Sequence, residues 1–419
     1  MKIKQSSPQF GDVFAKMYRD VGAKTGEGVF KVKNITFVVT ENCNMNCTYC
    51  YEVGKSSKRM TREVAFKAVD TILDDKKLKG YINSKETFGV ILEFIGGEPL
   101  LEIDLMDEVV DYFRYKAFEL DHPWAVNHMI SISSNGLLYF DERVQRFLDK
   151  NRNRVSLSIT IDGDKKLHDA CRLDLAGNGT YDRVVKSIKH AVENGFTSTT
   201  KVTFAPENVQ YACDALLHIF ELGITDIKAN PVYEEGWEIE HAQTYYRELV
   251  KFADIMIERK LYETHACSLF DRALGRPATS NMNWCGGNGL MLAIGPDGRF
   301  YPCLRYLEFA LVNDRRPIVI GNVEDGIDEH NEDLEKLSKI TLKSQSTEEC
   351  INCPVSQGCG WCTAYNYDKF NDFNKRATYI CYMHKARVLA NHYYWNKLLG
   401  DGTMELNMSE EDVKLIKGV

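Results

Sequence analysis

The chain has 419 residues, of which 44% are hydrophobic and 27% are charged, and its net charge is −8 at pH 7. This length predicts two or three domains with a buried core rather than a disordered chain. The longest apolar stretches are only as long as a strand, and the first residues lack the apolar core of a secretory signal, so we expect a cytoplasmic protein with no membrane partner. The acidic balance argues against general nucleic-acid binding.

Over residues 31–265, six β-like runs alternate with amphipathic helical segments. After the first run, for example, Ala65, Ala68 and Val69 recur at helical spacing. Six strand-then-helix units predict an α/β fold with a parallel sheet, open or curled into part of a barrel. The predicted strands span residues 32–39, 90–95, 129–134, 155–161, 201–204 and 226–229.

Four of these runs are followed by polar or cysteine-containing turns. The turns are a cysteine triplet at 43–50, Gly-Gly-Glu-Pro at 96–99, Ser-Asn-Gly at 134–136 and Asp-Gly at 162–163. In parallel α/β folds the chemistry lies at the carboxyl ends of the strands, in the loops that follow them. We therefore expect the four turns to meet at one rim of the sheet.

After about residue 280 the sequence becomes rich in cysteines and turns. Pro296-Asp297-Gly298 predicts a hairpin turn between strands at 290–294 and 299–301. The acidic run at 324–335 is typical of a solvated surface, which we favour over a partner site. The predicted organisation is an N-terminal arm at 1–30, a barrel region at 31–265, a cysteine-rich domain at 266–385 and a C-terminal helical tail at 386–419.

Cys43-x-x-x-Cys47-x-x-Cys50 places three thiols in one short loop directly after the first predicted strand. A structural zinc site uses four protein ligands, whereas three cysteines on a 4Fe-4S cluster leave one iron open to another ligand. A zinc site completed by a distant cysteine is the alternative. With Tyr49 directly before the last cysteine, the loop resembles the CxxxCxxC motif of the radical S-adenosylmethionine (SAM) enzymes.

This resemblance implies a partial (β/α)6 TIM barrel of the radical SAM type. In that family the open iron binds the amino and carboxylate groups of SAM, and an electron from the cluster cleaves SAM to methionine and a 5'-deoxyadenosyl radical that abstracts a substrate hydrogen. Cys43, Cys47 and Cys50 are thereby implied to be the catalytic cluster ligands. The residues that match SAM-contacting motifs of the family are Tyr49, Gly96, Gly97, Glu98, Ser134, Asn135, Ser158, Asp162 and Arg172.

The resemblance also implies roles for some of these residues. Glu98 is expected to accept a hydrogen bond from the SAM ammonium, and the two glycines before it let the backbone approach the ligand. Ser134 and Asn135 match a position that contacts the ribose. Arg172 matches an arginine that pairs with the SAM carboxylate, a geometry that a guanidinium suits.

Seven cysteines at short spacings lie between residues 285 and 381. Zinc ribbons also contain paired CxxC motifs and are an alternative. The pattern resembles the SPASM domain, a C-terminal extension of radical SAM enzymes with two auxiliary 4Fe-4S clusters, although only two residues separate Cys359 from Cys362, where three are usual. The resemblance implies three clusters in all, with an outer auxiliary cluster on Cys350, Cys353, Cys359 and Cys381 and an inner one on Cys285, Cys303 and Cys362.

The inner set is one cysteine short of four. Cys267 lies 18 residues before Cys285 and is one candidate for the fourth ligand. We favour an open iron, because a free site there is able to hold a substrate thiolate. Cys171 and Cys213 fall in or beside predicted helices, which is typical of buried thiols without a cofactor.

The segments around Cys43, Glu98 and Asp162 are similar to those of maturases that accompany cysteine-rich, CXXX-repeat precursor peptides. This resemblance implies a cysteine-rich precursor peptide as substrate, thioether links between cysteine sulfur and carbon, and an external electron donor of the flavodoxin or ferredoxin type. The alternatives are oxidation of a cysteine or serine in a protein, as in sulfatase maturation, and C–C crosslinking or epimerisation of a peptide. A zinc-stabilised binding protein is a more distant alternative.

Only 42 residues precede Cys43, too few for an independent leader-binding domain. We therefore expect leader recognition by another surface or by a separate leader-binding protein. In the N-terminal arm, Phe10, Phe14, Met17 and Tyr18 recur at helical spacing, which favours packing on the barrel over binding of peptide.

Overall fold

The computed structural model describes residues 32–419 except 83, 85, 88, 282–284, 288–290, 401 and 403. The N-terminal arm at 1–30, with its predicted apolar face, lies outside the described residues. Four parallel strands form the centre of the main sheet, and their apolar residues stand opposite one another, as Ile35 does to Leu92 and Ile132 to Leu157. The four strands are β1 (Val32–Thr40), β2 (Gly89–Gly96), β3 (His128–Ser134) and β4 (Val155–Ile159).

A second parallel sheet continues the same progression. It consists of β5 (Thr199–Phe204), β6 (Asp226–Pro231) and β7 (Ala266–Cys267), in that order. The Thr200 hydroxyl donates to the Ile159 carbonyl over 2.8 Å, so β5 lies beside the end of β4. The six predicted strand-then-helix units are therefore confirmed, as is the α/β class.

Helices separate these strands and cover the outer face of the sheet. The first begins at an N-cap, where the Thr61 side chain accepts from the Val64 amide, and it buries Ala65, Ala68 and Val69 as the sequence predicts. The helices of this region are α1 (Arg62–Ile72), α2 (Asp75–Leu78), α3 (Ile103–Glu119), α4 (Glu142–Lys150), α5 (Lys165–Cys171), α6 (Tyr181–Glu193), α7 (Ala212–Glu221) and α8 (Ile239–Glu258). Short 3-10 turns span Pro99–Glu102, Pro123–Ala125, Val209–Tyr211 and Leu261–Glu263.

The two faces of the parallel strands differ in polarity. Ile35 and Phe37 on β1 are fully buried under the helices. On the opposite face, Thr36 donates to the Glu93 carboxylate over 2.7 Å, and Ser133 stands beside Ser158 in the β3–β4 pair. The inner face is therefore polar, which suits a barrel interior that receives a polar ligand.

The cysteine-rich region extends the main sheet from the other edge of β1. Strand β8 (Met291–Ile294) pairs parallel with β1, and β9 (Arg299–Tyr301) returns antiparallel to it, which confirms the predicted hairpin around Asp297. Strands β10 (Gly321–Asn322) and β11 (Gly326–Ile327) complete the sheet. The sheet thus runs across the predicted boundary at residue 266, and the four domain ranges stay predictions.

Short helices and turns dominate the remainder of the chain. They are α9 (Glu332–Ser338), α10 (Leu342–Gln345), α11 (Glu348–Ile351), α12 (Thr363–Phe370), α13 (Cys381–Leu399) and α14 (Glu410–Lys417), with 3-10 turns at Leu304–Tyr306 and Glu308–Ala310. The long α13 packs on α8, where the Tyr393 hydroxyl donates to Asp254 over 2.6 Å. Among the described helices, none has the length and apolarity needed to cross a membrane.

Candidate active site

The loop with Cys43, Cys47 and Cys50 is fixed on one side by the turn after β2. The Gly97 amide donates to the Thr40 carbonyl over 3.0 Å, and the Glu98 amide donates to the Asn42 carbonyl over 2.9 Å. A Cβ atom at residue 97 would lie 2.2 Å from the Asn42 oxygen, so only glycine allows this approach. The two predicted clusters at 43–50 and 96–99 therefore meet through their backbones.

The segment after α5 fixes the other side of the same loop. The Asn46 amide donates to the Leu173 carbonyl over 2.8 Å, and the Thr48 amide donates to the Cys171 carbonyl over 3.0 Å. Cys171 is half-buried rather than fully buried, and its backbone supports the loop. Cys213, in contrast, is buried as expected.

The three thiols of this loop are half-buried in a mixed electrostatic environment. Burial raises the pKa of Cys43 to about 11, and burial also raises the pKa of Cys47, although the nearby Arg172 opposes the shift. Without a bound metal the thiols of Cys43 and Cys47 are therefore held in their neutral form, and a metal that binds here displaces their protons. The Lys55 ammonium interacts with Cys43 and Cys50 and is positioned to stabilise the resulting thiolates.

Glu98 is almost completely buried at the end of β2. One carboxylate oxygen accepts from the Ser134 hydroxyl over 2.8 Å and from the Leu100 amide over 3.1 Å, and the other accepts from the Asn135 amide over 2.8 Å. Burial raises the pKa of Glu98, and these three donors oppose the shift. Glu98 thus ties the predicted positions 96–99 and 134–136 together, and its contact with the SAM ammonium stays a prediction.

Asn135 extends from this network to the cysteine loop. Its amide nitrogen lies 3.9 Å from the Cys43 sulfur and donates to the Asn44 side chain over 2.7 Å. The carboxyl ends of β1, β2 and β3 therefore converge on one polar rim, as predicted.

Tyr49, Asp162 and Arg172 form a second buried network under the loop. The Tyr49 hydroxyl is hydrogen-bonded to Asp162, and Arg172 donates to the same hydroxyl over 2.7 Å. Burial raises the pKa of Asp162, and Arg172 opposes the shift. Asp162 Oδ1 and Arg172 Nε are buried without a hydrogen-bond partner in the described part of the chain. Two unpaired polar atoms of opposite charge fit a polar, zwitterionic ligand such as SAM.

The four outer cysteines predicted from the resemblance lie together. Cys359 interacts electrostatically with Cys350, Cys353 and Cys381, and burial raises its pKa to about 11. The Arg376 guanidinium donates to the Cys359 sulfur over 3.0 Å. Sequence reasoning missed this arginine, whose only signal was its position five residues before Cys381.

The three inner cysteines also lie together. Burial raises the pKa of Cys303, and the thiols of Cys362 and Cys285 add to the shift. The Cys285 sulfur is 3.1 Å from the Thr363 hydroxyl. A cavity of about 450 Å³ borders Cys285 of this inner triad and Cys359 of the outer group. The chain therefore has room beside both groups of thiols.

Cys267, the candidate fourth ligand, lies in a different environment. It is buried in β7, with the backbone of Leu269 and the charges of Arg387 and Asp226 around its thiol. It also lies beside Tyr394 in the helix α13. The identity of the fourth ligand of the inner cluster stays a prediction.

The cysteine groups fit iron–sulfur clusters by their number and grouping. Among the described residues, no three or more His, Cys, Asp or Glu side chains converge so as to bind one metal ion. A 4Fe-4S cluster differs from a single ion, because each cysteine binds a different iron atom. The loop thiols and the two unpaired buried atoms beside them suit a cluster with SAM, whereas the remaining seven cysteines suit auxiliary clusters.

Two further groups at the site were missed from the sequence. Glu52 is buried beside Glu41 and Glu98, and burial raises its pKa to about 7 while Lys55 opposes the shift. Arg305 lies between the cysteine loop and the inner triad, where its guanidinium is 5.3 Å from the Tyr51 ring. Isolated charges without a periodic pattern give no sequence signal, apart from their nearness to cysteines.

Comparisons with known proteins agree with this geometry. Residues 37–219 match the family model of the radical SAM superfamily. The cysteine-type anaerobic sulfatase-maturating enzyme of Clostridium perfringens (strain 13 / Type A) is 25% identical over 364 residues, with 83% of this chain and 92% of that protein covered. The radical SAM cyclopropyl synthase TigE of Paramaledivibacter caminithermalis is 21% identical, with 87% of this chain and 74% of that protein covered.

The fold is similar to that of a solved structure of native anSMEcpe with bound AdoMet and Kp18Cys peptide. The TM-score is 0.64 at 19% identity, and the match covers 88% of this chain and 99% of that chain. The likeness includes the cysteine-rich C-terminal region as well as the parallel sheet. Residues 37–219 are therefore a radical SAM domain, and in sequence and fold the chain is similar to radical SAM/SPASM maturases.

Proposed function

We propose that this chain modifies a ribosomally made, cysteine-rich peptide by joining a cysteine sulfur to a carbon in a thioether link. The observation that carries the proposal is the position of the inner triad next to the cysteine loop. Tyr51, which follows Cys50 directly, is in contact with Arg305, and Arg305 interacts with Cys362. A peptide that reaches from the cysteine loop to the inner triad places one of its carbon atoms beside the loop and a cysteine thiol beside the triad.

The residues of the chain divide this task between them. Cys43, Cys47 and Cys50 hold a cluster, while Asp162 and Arg172 each offer a buried polar atom to SAM. When bound, the cluster and SAM would supply the radical that abstracts the hydrogen. Overall the peptide loses two hydrogen atoms, that is two electrons and two protons. SAM takes up both electrons and one proton to give methionine and 5'-deoxyadenosine, and the second proton is released. The inner triad has three cysteines and keeps a place for the thiol of the substrate.

The outer cysteines serve the transfer of electrons in this proposal. Cys381 is exposed at the start of α13, whereas the inner cysteines are more enclosed. An exposed ligand gives an external donor of the flavodoxin or ferredoxin type a short route into the protein.

Tandem mass spectrometry tests the proposed reaction. A synthetic CXXX-repeat peptide is incubated anaerobically with cluster-loaded enzyme, SAM and a reductant. We expect a loss of two hydrogens for each link, and the linked cysteine no longer reacts with an alkylating reagent. A Cys43→Ala variant is the control for background oxidation. An unchanged peptide, or one that is only epimerised, would contradict the proposal.

A second experiment addresses the open inner site. We expect Cys267→Ala to keep its iron content and its product, because the charged groups that act on Cys267 are Arg387, Asp226 and Lys228 rather than the thiols of the triad. Cys303→Ala should lose about four irons per chain and the product. Loss of the inner cluster in Cys267→Ala would show that this cysteine is the fourth ligand.

Oxidation of a cysteine or serine in a protein is the second candidate function. It is supported by the sulfatase-maturating relative, which matches over 92% of its length. In that case the modified residue carries an aldehyde that reacts with a hydrazide probe, and no link between residues forms. The same mass spectra therefore separate the two candidates.

A further inference from the structure

Arg305 links the cysteine loop to the inner triad, and its side chain has no chemical role in the reaction proposed above. It lies in the short 3-10 turn Leu304–Tyr306 directly after Cys303. Its guanidinium is 5.3 Å from the ring of Tyr51 and donates to the Glu234 carboxylate over 3.1 Å. Since Tyr51 follows Cys50, this one side chain stands between the cysteine loop and the inner triad.

The groups around the Arg305 guanidinium are acidic or neutral. A guanidinium stays protonated in proteins, and the groups near that of Arg305 are Cys362, Glu234 and Tyr51. The guanidinium is thus a fixed cation beside the inner triad. Tyr233 also interacts with Cys362 and Arg305.

The guanidinium keeps donors for another group. It has five N–H donors in a planar fork. In the described part of the chain, the Glu234 contact uses an Nη2 donor and the Tyr51 ring contacts the guanidinium, while 23% of the Arg305 side chain is exposed. An anion that enters beside Cys362 therefore meets an oriented cation with donors to spare.

We propose that Arg305 binds the sulfur of the incoming substrate cysteine as a thiolate and holds it beside the inner triad, a role that rests on the proposed function. The S–H bond breaks as the thiol proton leaves to solvent, and no other covalent bond forms or breaks in this step. Arg305 acts as a positioning residue, because Glu234 and Tyr51 fix its guanidinium before the peptide arrives. Serine in place of the substrate cysteine ionises far less readily and gains little from the same cation.

Peptide binding without turnover tests this proposal. A fluorescein-labelled peptide with one cysteine in the CXXX pattern, and its serine counterpart, are titrated by anisotropy into cluster-loaded enzyme without SAM or reductant. We expect the wild type to bind the cysteine peptide about tenfold more tightly than the serine peptide. In Arg305→Gln this ratio should fall severalfold, because only the open place at the inner triad still favours the thiol, and the pH midpoint for binding of the cysteine peptide should rise.

Arg299→Gln is the matched control, because Arg299 pairs with Asp297 on the nearby hairpin and should leave the ratio unchanged. Arg305→Lys keeps the charge but lacks the planar fork, and we expect it to retain a low pH midpoint. This second variant decides the matter if Arg305→Gln loses iron. An unchanged ratio in Arg305→Gln, or equal binding of both peptides by the wild type, would overturn the proposal.

The outcome is separate from that of the proposed function. A preserved preference for the cysteine peptide without any thioether in the mass spectra would refute the thioether reaction and leave the thiolate site standing. Thioether formation at the wild-type rate by Arg305→Gln would refute the thiolate site and leave the reaction standing.

Discussion

The cysteine loop and the outer cysteines are held in place by different means. Backbone hydrogen bonds from Gly97, Asn46 and Thr48 fix the loop against two neighbouring segments. Cys350, Cys353 and Cys359 lie in or beside a short helix and turns, whereas Cys381 begins the long helix α13. Side chains support the group, since Arg376 contacts Cys359 and Lys385 interacts with Cys381.

This difference identifies the structural elements that set the geometry of each site. The loop follows directly from β1, a central strand of the main sheet, so its shape is set by the barrel. The outer group has no such frame, since its first two cysteines lie in and beside the four-residue helix Glu348–Ile351. We infer that the barrel site is preformed, whereas the outer site would depend for its local order on the cluster that we propose for it.

The largest effect is expected from Gly97→Ala. The new Cβ would lie 2.2 Å from the Asn42 oxygen, and both are backbone-fixed, so the loop must shift. A displacement near 1 Å lowers turnover by about 100-fold, and we expect loss of iron from the loop as well. Iron analysis and SAM-cleavage assays measure the two effects.

Gly195→Ala is the control for this variant. Gly195 has a φ of +72° and open space around its Cβ position. Alanine there costs about 1 kcal/mol in stability through the backbone alone. If both variants lost iron equally, general destabilisation rather than the steric fit of the loop would be the cause.

Metal removal should separate the two regions next. In the chelated protein, we expect the amides of residues 348–381 to exchange about tenfold faster or more, because metal binding supplies much of their local stability. The amides of β1 to β3 should keep their protection. Hydrogen exchange with mass spectrometry measures both rates. Equally faster exchange in all segments would show that the two regions do not differ in their dependence on metal.

The same contrast explains what could be predicted from the sequence. The barrel strands were predictable because each combines apolar residues with a following amphipathic helix, and the hairpin was predictable from Pro296-Asp297-Gly298. The cysteines of all three groups were found from spacing and resemblance. These features are local in the sequence.

Long-range features could not be predicted in this way. The parallel pairing of β8 with β1 joins residues more than 250 positions apart and has no signature in either segment. Two of the three donors to Glu98, the Ser134 hydroxyl and the Asn135 amide, come from the segment after β3, some 36 residues away in the sequence. Arg305 and Arg376 are single charges, and their contacts depend on how turns place them.

Arg376→Gln should produce a moderate effect confined to the outer group. Arg376 is buried, donates to Cys359, and lies 4.7 Å from the Trp361 ring. Loss of this cation should lower the reduction potential of the outer cluster and cost about 2 kcal/mol in stability. EPR-monitored redox titration measures the potential. Arg272→Gln, which loses a similar contact with Trp395, should leave it unchanged.

The smallest effect concerns acid, and it belongs to the barrel end away from the cysteines. His128, at the start of β3, is buried between the Trp124 carbonyl at 2.9 Å from Nδ1 and Arg114, whose Nε donates to Nε2 over 3.2 Å. The neutral ring satisfies both contacts, whereas a proton on Nε2 would face the Arg114 N–H. Burial accordingly lowers the pKa of His128 to about 4.

Because an unfolded histidine has a pKa near 6.5, the unfolded chain binds the extra proton first as the pH falls. Stability is therefore full above about pH 6.5 and declines toward pH 4, with a loss of about 1 kcal/mol between pH 7 and 5.5. Urea unfolding at the two pH values measures this loss, and His128→Gln should show a smaller pH dependence. If the variant and the wild type showed an equal pH dependence, other groups, the cysteine sites included, would cause the acid sensitivity. This end of the barrel would then not be the acid-sensitive element.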